Sequence, residues 1–184
     1  MKYVMFLAIG SLLFIECNDK AKEQTNATST DSTSMKEEKV TQPAEFADAK
    51  YAGIGKAGIA ALSSGNVDGW MASYADDATY LWNNGDSLVG KVAITNYWKK
   101  RRTEVIDSIS FTNDIWLPIK INKPQSVEAP GTWLLGWYQV DAKYKTGKHM
   151  RQWIHTNMHF NAEDKIDRVI QYMDRALINA AMTK

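Results

Sequence analysis

The densest run of residues able to do chemistry is Trp153-Ile154-His155-Thr156-Asn157-Met158-His159-Phe160. On a strand, side chains alternate between faces, so Trp153, His155, Asn157 and His159 share one face and Ile154, Thr156, Met158 and Phe160 the other. If the first set faces inward, it forms an aromatic wall with an imidazole for proton transfer and an amide to polarise a carbonyl. If the second set faces inward, it is ordinary core and the polar set lies on an outer surface. On a helix, His155 and His159 would converge on one metal ion. On a strand they stand about 13 Å apart, at about 3.3 Å per residue, and cannot share one. Neither a metal nor another cofactor is expected.

Tyrosines and tryptophans supply further candidates. Tyr74, Tyr80 and Tyr172 could present hydroxyls to a ligand, and Trp82 and Trp98 could form pocket walls. Such rings bury large areas and serve equally well as core. The chain carries no Gly-x-Ser-x-Gly elbow, phosphate-cradling glycine loop or dinucleotide fingerprint. A net charge of +1 gives no electrostatic case for nucleic acid.

The elements that must position these residues follow from periodicity. Pro43 to Leu62 reads as a first helix, in which Gly53, Gly55 and Gly58 require compensation by close approach to another element. Val67, Trp70, Met71 and Tyr74 fall on one helical face, with Asn66 or Asp68 to cap it and Asp76-Asp77 to end it. Thr79 to Trp82 is β-prone, Asn83-Asn84-Gly85-Asp86 is a turn, and Gly90 opens a helix over Lys91 to Val105.

From Ile109 the period becomes two. Ile109, Phe111, Ile115, Leu117, Ile119 and Ile121 are expected on one face of a long strand, bent or bulged at Pro118. Thr132 to Tyr144 starts apolar on both faces, as a central strand would, and Gly136 allows curvature. Lys145-Thr146-Gly147-Lys148 makes a hairpin turn before a strand over His149 to Phe160. Asn161 to Lys165 leads to a strand over Ile166 to Asp174, and Ala176 to Met182 closes as a short helix. Helices first and a strand meander afterwards argue for an α+β fold.

The N-terminus reads differently. Lys2, the apolar run Val4 to Ile15 and the chain's single cysteine, Cys17, resemble a lipoprotein-type export signal over 1–17, although Glu16 stands where a small residue is usual. An ordinary secretory signal and an uncleaved anchor are the alternatives. The run is too short for a comfortable membrane span of about 20 residues. Residues 18–43 lack aromatics, are rich in polar residues, and read as a flexible tether. All seven tryptophans lie between Trp70 and Trp153, within the remaining domain, 44–184. With one cysteine in the chain, no intramolecular disulfide can form and the domain must stand on its core.

The order of elements from Ser64 to Trp98, with Tyr74-Ala75-Asp76-Asp77-Ala78 followed by Leu88-Val89-Gly90-Lys91, resembles the SnoaL-like branch of the nuclear transport factor 2-like superfamily. The resemblance implies a cone: a strongly curved antiparallel sheet wrapped around N-terminal helices, with a pocket at its mouth. In SnoaL-like cyclases an acidic residue near the end of the last strand acts as general acid/base, and Asp174 matches that position. The acid/base of any such chemistry would be Asp174 or His155. The implied ligand contacts are Tyr74, Tyr80, Trp82, Trp98, Trp153, Asn157 and Tyr172. The implied partner is a small apolar molecule; cofactor-independent isomerase, cyclase or dehydratase chemistry would accompany it. Contact with a membrane is expected only through a lipid on Cys17, and a homodimer is expected. The alternative is a non-enzymatic module that dimerises or docks a partner through its sheet face, with Trp153, His155 and His159 outward.

Overall fold

The computed structural model describes residues 41–126 and 128–183, all within one compact unit spanning Lys39–Lys184. The expectations for the export signal, for Cys17 and for most of the tether fall on residues 1–40, outside the described residues.

A seven-stranded sheet carries the fold in the order β1-β4-β5-β6-β7-β2-β3. The strands are β1 (Ala44–Phe46), β2 (Tyr74–Trp82), β3 (Ser87–Val89), β4 (Ile106–Ile121), β5 (Gly131–Tyr144), β6 (His149–Phe160) and β7 (Ile166–Tyr172). Among the described residues four α-helices complete it: α1 (Lys50–Ser64), α2 (Val67–Met71), α3 (Lys91–Lys100) and α4 (Arg175–Met182). The result is an α+β cone, with α1, α2 and α3 held against the concave face of the curled sheet. The sheet is mixed where an antiparallel one was expected, because β2 returns from the helices to pair parallel with β7.

The first helix is shorter at its start than expected. Ala44–Phe46 pair antiparallel with Ile119–Ile121 and so satisfy the backbone of an edge that would otherwise be open. The Asp48 carboxylate then accepts from the Lys50 amide at 2.8 Å as α1 begins. The glycines of α1 do give close approach, at two of the three positions. A Cβ at Gly55 would stand 2.7 Å from the Trp116 ring and one at Gly58 3.1 Å from Trp70, whereas Gly53 faces open space.

Helix α2 is one turn shorter than its apolar pattern suggested, since Tyr74 already belongs to β2. Asn66 caps it by accepting from the Gly69 amide at 2.9 Å. Asp76-Asp77 therefore sit on a strand and do not terminate the helix. Helix α3 passes at Arg101–Val105 into a π-helical turn that feeds β4.

The largest departure lies in β4. It is bulged at Asn113-Asp114, not Pro118: Thr112 pairs with Gln139 and Ile115 with Trp137, which leaves one extra residue on β4 there, in addition to a register shift near its start between Ile106 and Ser108. Asn113 takes the left-handed conformation (φ 55°), which asparagine tolerates better than most residues. The extra residue inverts the facing of everything after it. Ile109 and Phe111 point into the cone, but past the bulge Trp116 points inward, while Ile115, Leu117 and Ile119 move to the convex face.

Candidate functional site

Inside the cone the strands contribute alternate residues. From β5 come Leu134, Gly136, Tyr138 and Val140; from β6, Ile154, Thr156 and Met158; from β7, Val169 and Gln171. Helices α2 and α3 place Trp70 and Trp98 against this wall, in T-shaped contact with ring centroids 5.3 Å apart. Tyr80 and Trp82 on β2 extend the aromatic cluster, their centroids 4.9 Å apart. These rings leave a cavity of about 90 Å³, bordered by Tyr74, Tyr80, Trp82 and Trp98 from the helices and β2 and by Tyr138, Met158 and Gln171 from β5, β6 and β7.

The polar content of this cavity is small and neutral. The Tyr138 hydroxyl and Thr156 Oγ1 share a hydrogen bond of 2.8 Å, and Gln171 Nε2 donates to Thr156 Oγ1 at 3.4 Å. The Tyr74 hydroxyl, Trp98 Nε1 and Gln171 Oε1 are buried and have no hydrogen-bond partner among the described residues. Burial pushes the Tyr74 and Tyr80 phenols well above their ordinary range and raises Tyr138, so all three keep their protons. The charged lining groups are two partly exposed guanidiniums. Arg101 lies over the Tyr97 ring, 5.6 Å from its centroid, and Arg175 pairs with Asp86 at 3.4 Å. Among the described residues no carboxylate and no imidazole lines the cavity.

Solved structures share this arrangement of elements. A proposed polyketide cyclase from Xanthomonas campestris is 17% identical, matching 72% of this chain and 96% of its own with a TM-score of 0.58. An NTF2-like protein from Burkholderia pseudomallei is 12% identical, over 72% of this chain and 97% of its own, also at a TM-score of 0.58. An LEH-like epoxide hydrolase from M. tuberculosis is 13% identical, over 70% and 86%, at a TM-score of 0.50. The chain has the nuclear transport factor 2-like fold. No family model matches its sequence, and no curated protein shows significant similarity to it.

Within this nuclear transport factor 2-like cone the expected site residues separate into two groups. Tyr74, Tyr80, Trp82 and Trp98 line the cavity together. Trp153, His155, Asn157 and Tyr172 do not. The inward set of β6 is Met150, Gln152, Ile154, Thr156, Met158 and Phe160, all buried, which corrects the placement of Trp153, His155 and Asn157 inside. The physical reason is area: the even set of β6 carries more apolar surface than a set containing three histidines, an arginine and an asparagine.

His155 instead lies on the convex face, stacked between Trp137 (centroids 4.5 Å apart) and Tyr172 (5.7 Å), with its Nδ1 3.1 Å from the Gly136 carbonyl. His159 is tied to Asp167 (Nδ1–Oδ1 2.6 Å) and to the Pro130 carbonyl (Nε2–O 3.1 Å). Asp174, expected as a general acid/base, is the N-cap of α4: its carboxylate accepts from the Ala176 amide at 2.8 Å. Gln152 fixes its backbone from the other side, accepting from the Asp174 amide at 2.8 Å and donating to its carbonyl at 3.2 Å.

The polar residues that do line the cone, Tyr138, Thr156 and Gln171, were missed as site residues. A signal for two of them was present. Thr156 interrupts the series Ile154, Met158, Phe160, and Gln171 interrupts Val169 and Met173. A polar residue on an otherwise apolar face needs a partner within the interior.

Proposed function

We propose that residues 44–184 form a SnoaL-like domain, tethered to the cell envelope through Cys17, that binds a small, largely apolar molecule in its cone. The observation that carries this reading is the aromatic-walled cavity with a few neutral polar groups, the usual make-up of a small-molecule site. The likeness in fold to a proposed polyketide cyclase and to an epoxide hydrolase supports it. Isomerase-, cyclase- or dehydratase-type turnover through Asp174 or His155 draws no support from their positions, since one caps a helix and the other faces away from the cone. Binding is therefore the function that the geometry supports best.

The test is native mass spectrometry of the full-length chain purified in mild detergent. A co-purified small molecule, displaced by Trp98→Ala, is the expected result. An empty cone that takes up no apolar probe would overturn the proposal. Labelled palmitate incorporation, lost in Cys17→Ser, tests the tether.

A second reading rests on the convex face, an interaction module that pairs with another copy of itself. Ile115, Trp137, His155 and Tyr172 lie in one row across β4 to β7, and Leu117, Leu135, Asn157 and Ile170 in the next. Ile115, Trp153 and Tyr172 are 56%, 51% and 45% exposed, a cluster of large apolar groups of the kind that marks interfaces. A two-fold pairing would set this row against its own copy.

A further inference from the structure

Two polar atoms in the cone have complementary requirements. The Tyr74 hydroxyl is a donor without an acceptor and Gln171 Oε1 an acceptor without a donor among the described residues. Both side chains line the cavity, and both are more than nine-tenths buried, at 2% and 5% exposure. The Gln171 Nε2 bond to Thr156 leaves the amide oxygen as the end in need of a partner. Both side chains border the same cavity, and Thr156 Oγ1 links Gln171 to the Tyr138 hydroxyl there, bonding the one at 3.4 Å and the other at 2.8 Å.

A buried donor or acceptor left unpaired is unfavourable, so a ligand that pairs it gains affinity. No charged group bonds either atom. A carboxylate would meet the Gln171 carbonyl oxygen, and an ammonium would leave the Tyr74 hydroxyl proton without an acceptor, each with a buried charge uncompensated. A hydrocarbon would satisfy neither atom. A neutral hydroxyl carries the acceptor that one atom needs and the donor that the other needs.

We propose that the cone selects a small apolar alcohol, whose oxygen accepts from the Tyr74 hydroxyl and whose proton is donated to Gln171 Oε1. The proposal rests on the reading of the cone as a small-molecule site and adds the chemical class of its occupant. The cavity of about 90 Å³ is smaller than the cavity of about 150 Å³ that takes up benzene, which points to a compact ring.

The experiment uses the full-length chain and three probes of similar shape: cyclopentanol, cyclopentanone and methylcyclopentane. Affinities are read by calorimetry and by the Met158 methyl resonance, which reports from the cavity wall. The ketone offers an acceptor alone, the alcohol both functions and the hydrocarbon neither. Tyr74→Phe is expected to weaken alcohol and ketone about tenfold relative to the hydrocarbon. Gln171→Met is expected to weaken the alcohol about tenfold relative to the ketone and to leave the ketone unchanged. Comparing ratios between variants cancels the probes' different hydration. If all three bind the wild-type chain but the ratios are the same in both variants, the alcohol proposal falls while the small-molecule site stands. If none of them shifts the Met158 methyl in the folded wild-type chain, both fall. Should Gln171→Met fail to fold, the ratio in Tyr74→Phe decides alone, since that change removes only an oxygen.

Discussion

Gly136 on β5 lies directly across the ladder from Trp116 on β4, and a side chain of any size at Gly136 would overlap the Trp116 ring. The indole lies over that glycine and reaches Gly55 on α1, which has its own close approach to the same ring. Its Nε1 donates to Asp114 in the β4 bulge at 2.6 Å, so the bulge, the ring and the two glycines form one unit. Gly136→Ala forces the ring out of this slot and is expected to destabilise the domain by about 1–3 kcal/mol, the usual range for overpacking. Urea denaturation measures it, and an unchanged midpoint would show that Trp116 has another place to go.

The buried tyrosines make the domain sensitive to alkali. Tyr74, Tyr80 and Tyr138 hold their protons more tightly when folded than the ordinary value near 10, because burial penalises the phenolate. Their folded values are raised, so the folded state binds more protons above pH 10. The stability they contribute is complete below the unfolded value and falls as pH rises through the folded ones. The expected slope is up to about 1.4 kcal/mol per pH unit for each tyrosine. Tyr74→Phe should flatten the decline, and without ligand it should leave stability unchanged or raise it by about 1 kcal/mol, as an unpartnered hydroxyl is lost. Thermal melts between about pH 8 and about pH 11, the range over which free tyrosine begins to ionise, provide the check.

The turn between β6 and β7 is pinned to the start of α1. The Asp164 carboxylate accepts from Lys50 Nζ at 2.6 Å and from the Tyr51 hydroxyl at 2.5 Å. The hydrogen bonds from Lys50 and Tyr51 hold its carboxyl below the usual carboxylate range. A lowered folded value means that the contribution is present above the unfolded value and lost as pH falls through the folded one. Asp164→Asn keeps a residue type that tolerates the left-handed backbone found there (φ 57°) and removes the charge. The variant should melt earlier at neutral pH and converge on wild type in acid. Parallel melting curves at every pH would rule out a role for this carboxylate.

The convex face makes a prediction about assembly. Ile115 is exposed at the end of the Ile115–Trp137–His155–Tyr172 row and packs little within its own chain. Ile115→Lys places a charge in any interface built on that row and should convert a dimer to a monomer without lowering the monomer's stability. Sedimentation velocity decides it. A variant with wild-type sedimentation would move the interface elsewhere.

Local structure was largely legible in the chain. The turns at Asn83–Asp86, Lys145–Lys148 and Asn161–Lys165 follow from their Asn, Gly and Asp content. The strand over His149–Phe160 has the bounds that its alternation gave, and Asn66 caps α2 as a short polar side chain can. The close approaches at Gly55 and Gly58 were legible too, because glycine inside a helix is unfavourable unless something requires the space.

Facing was not legible in the same way. Alternation sorts residues of β6 into two sets but does not say which set is inside; that follows from the helices the sheet must cover. The odd apolar series in β4 looked continuous, yet one extra residue at Asn113 turned its second half outward. Asp174 matched a catalytic position in sequence, but the chain leaves β7 there and uses the carboxylate to begin α4. The sequence by itself therefore determined most of the elements and their turns, since these depend on neighbours a few residues apart, while the strands at Ala44–Phe46 and Tyr74–Asp77 needed a partner strand to declare themselves. Which side chains meet in the cone was decided by the tertiary structure, because a single bulge or the curl of the sheet reassigns a whole face at once.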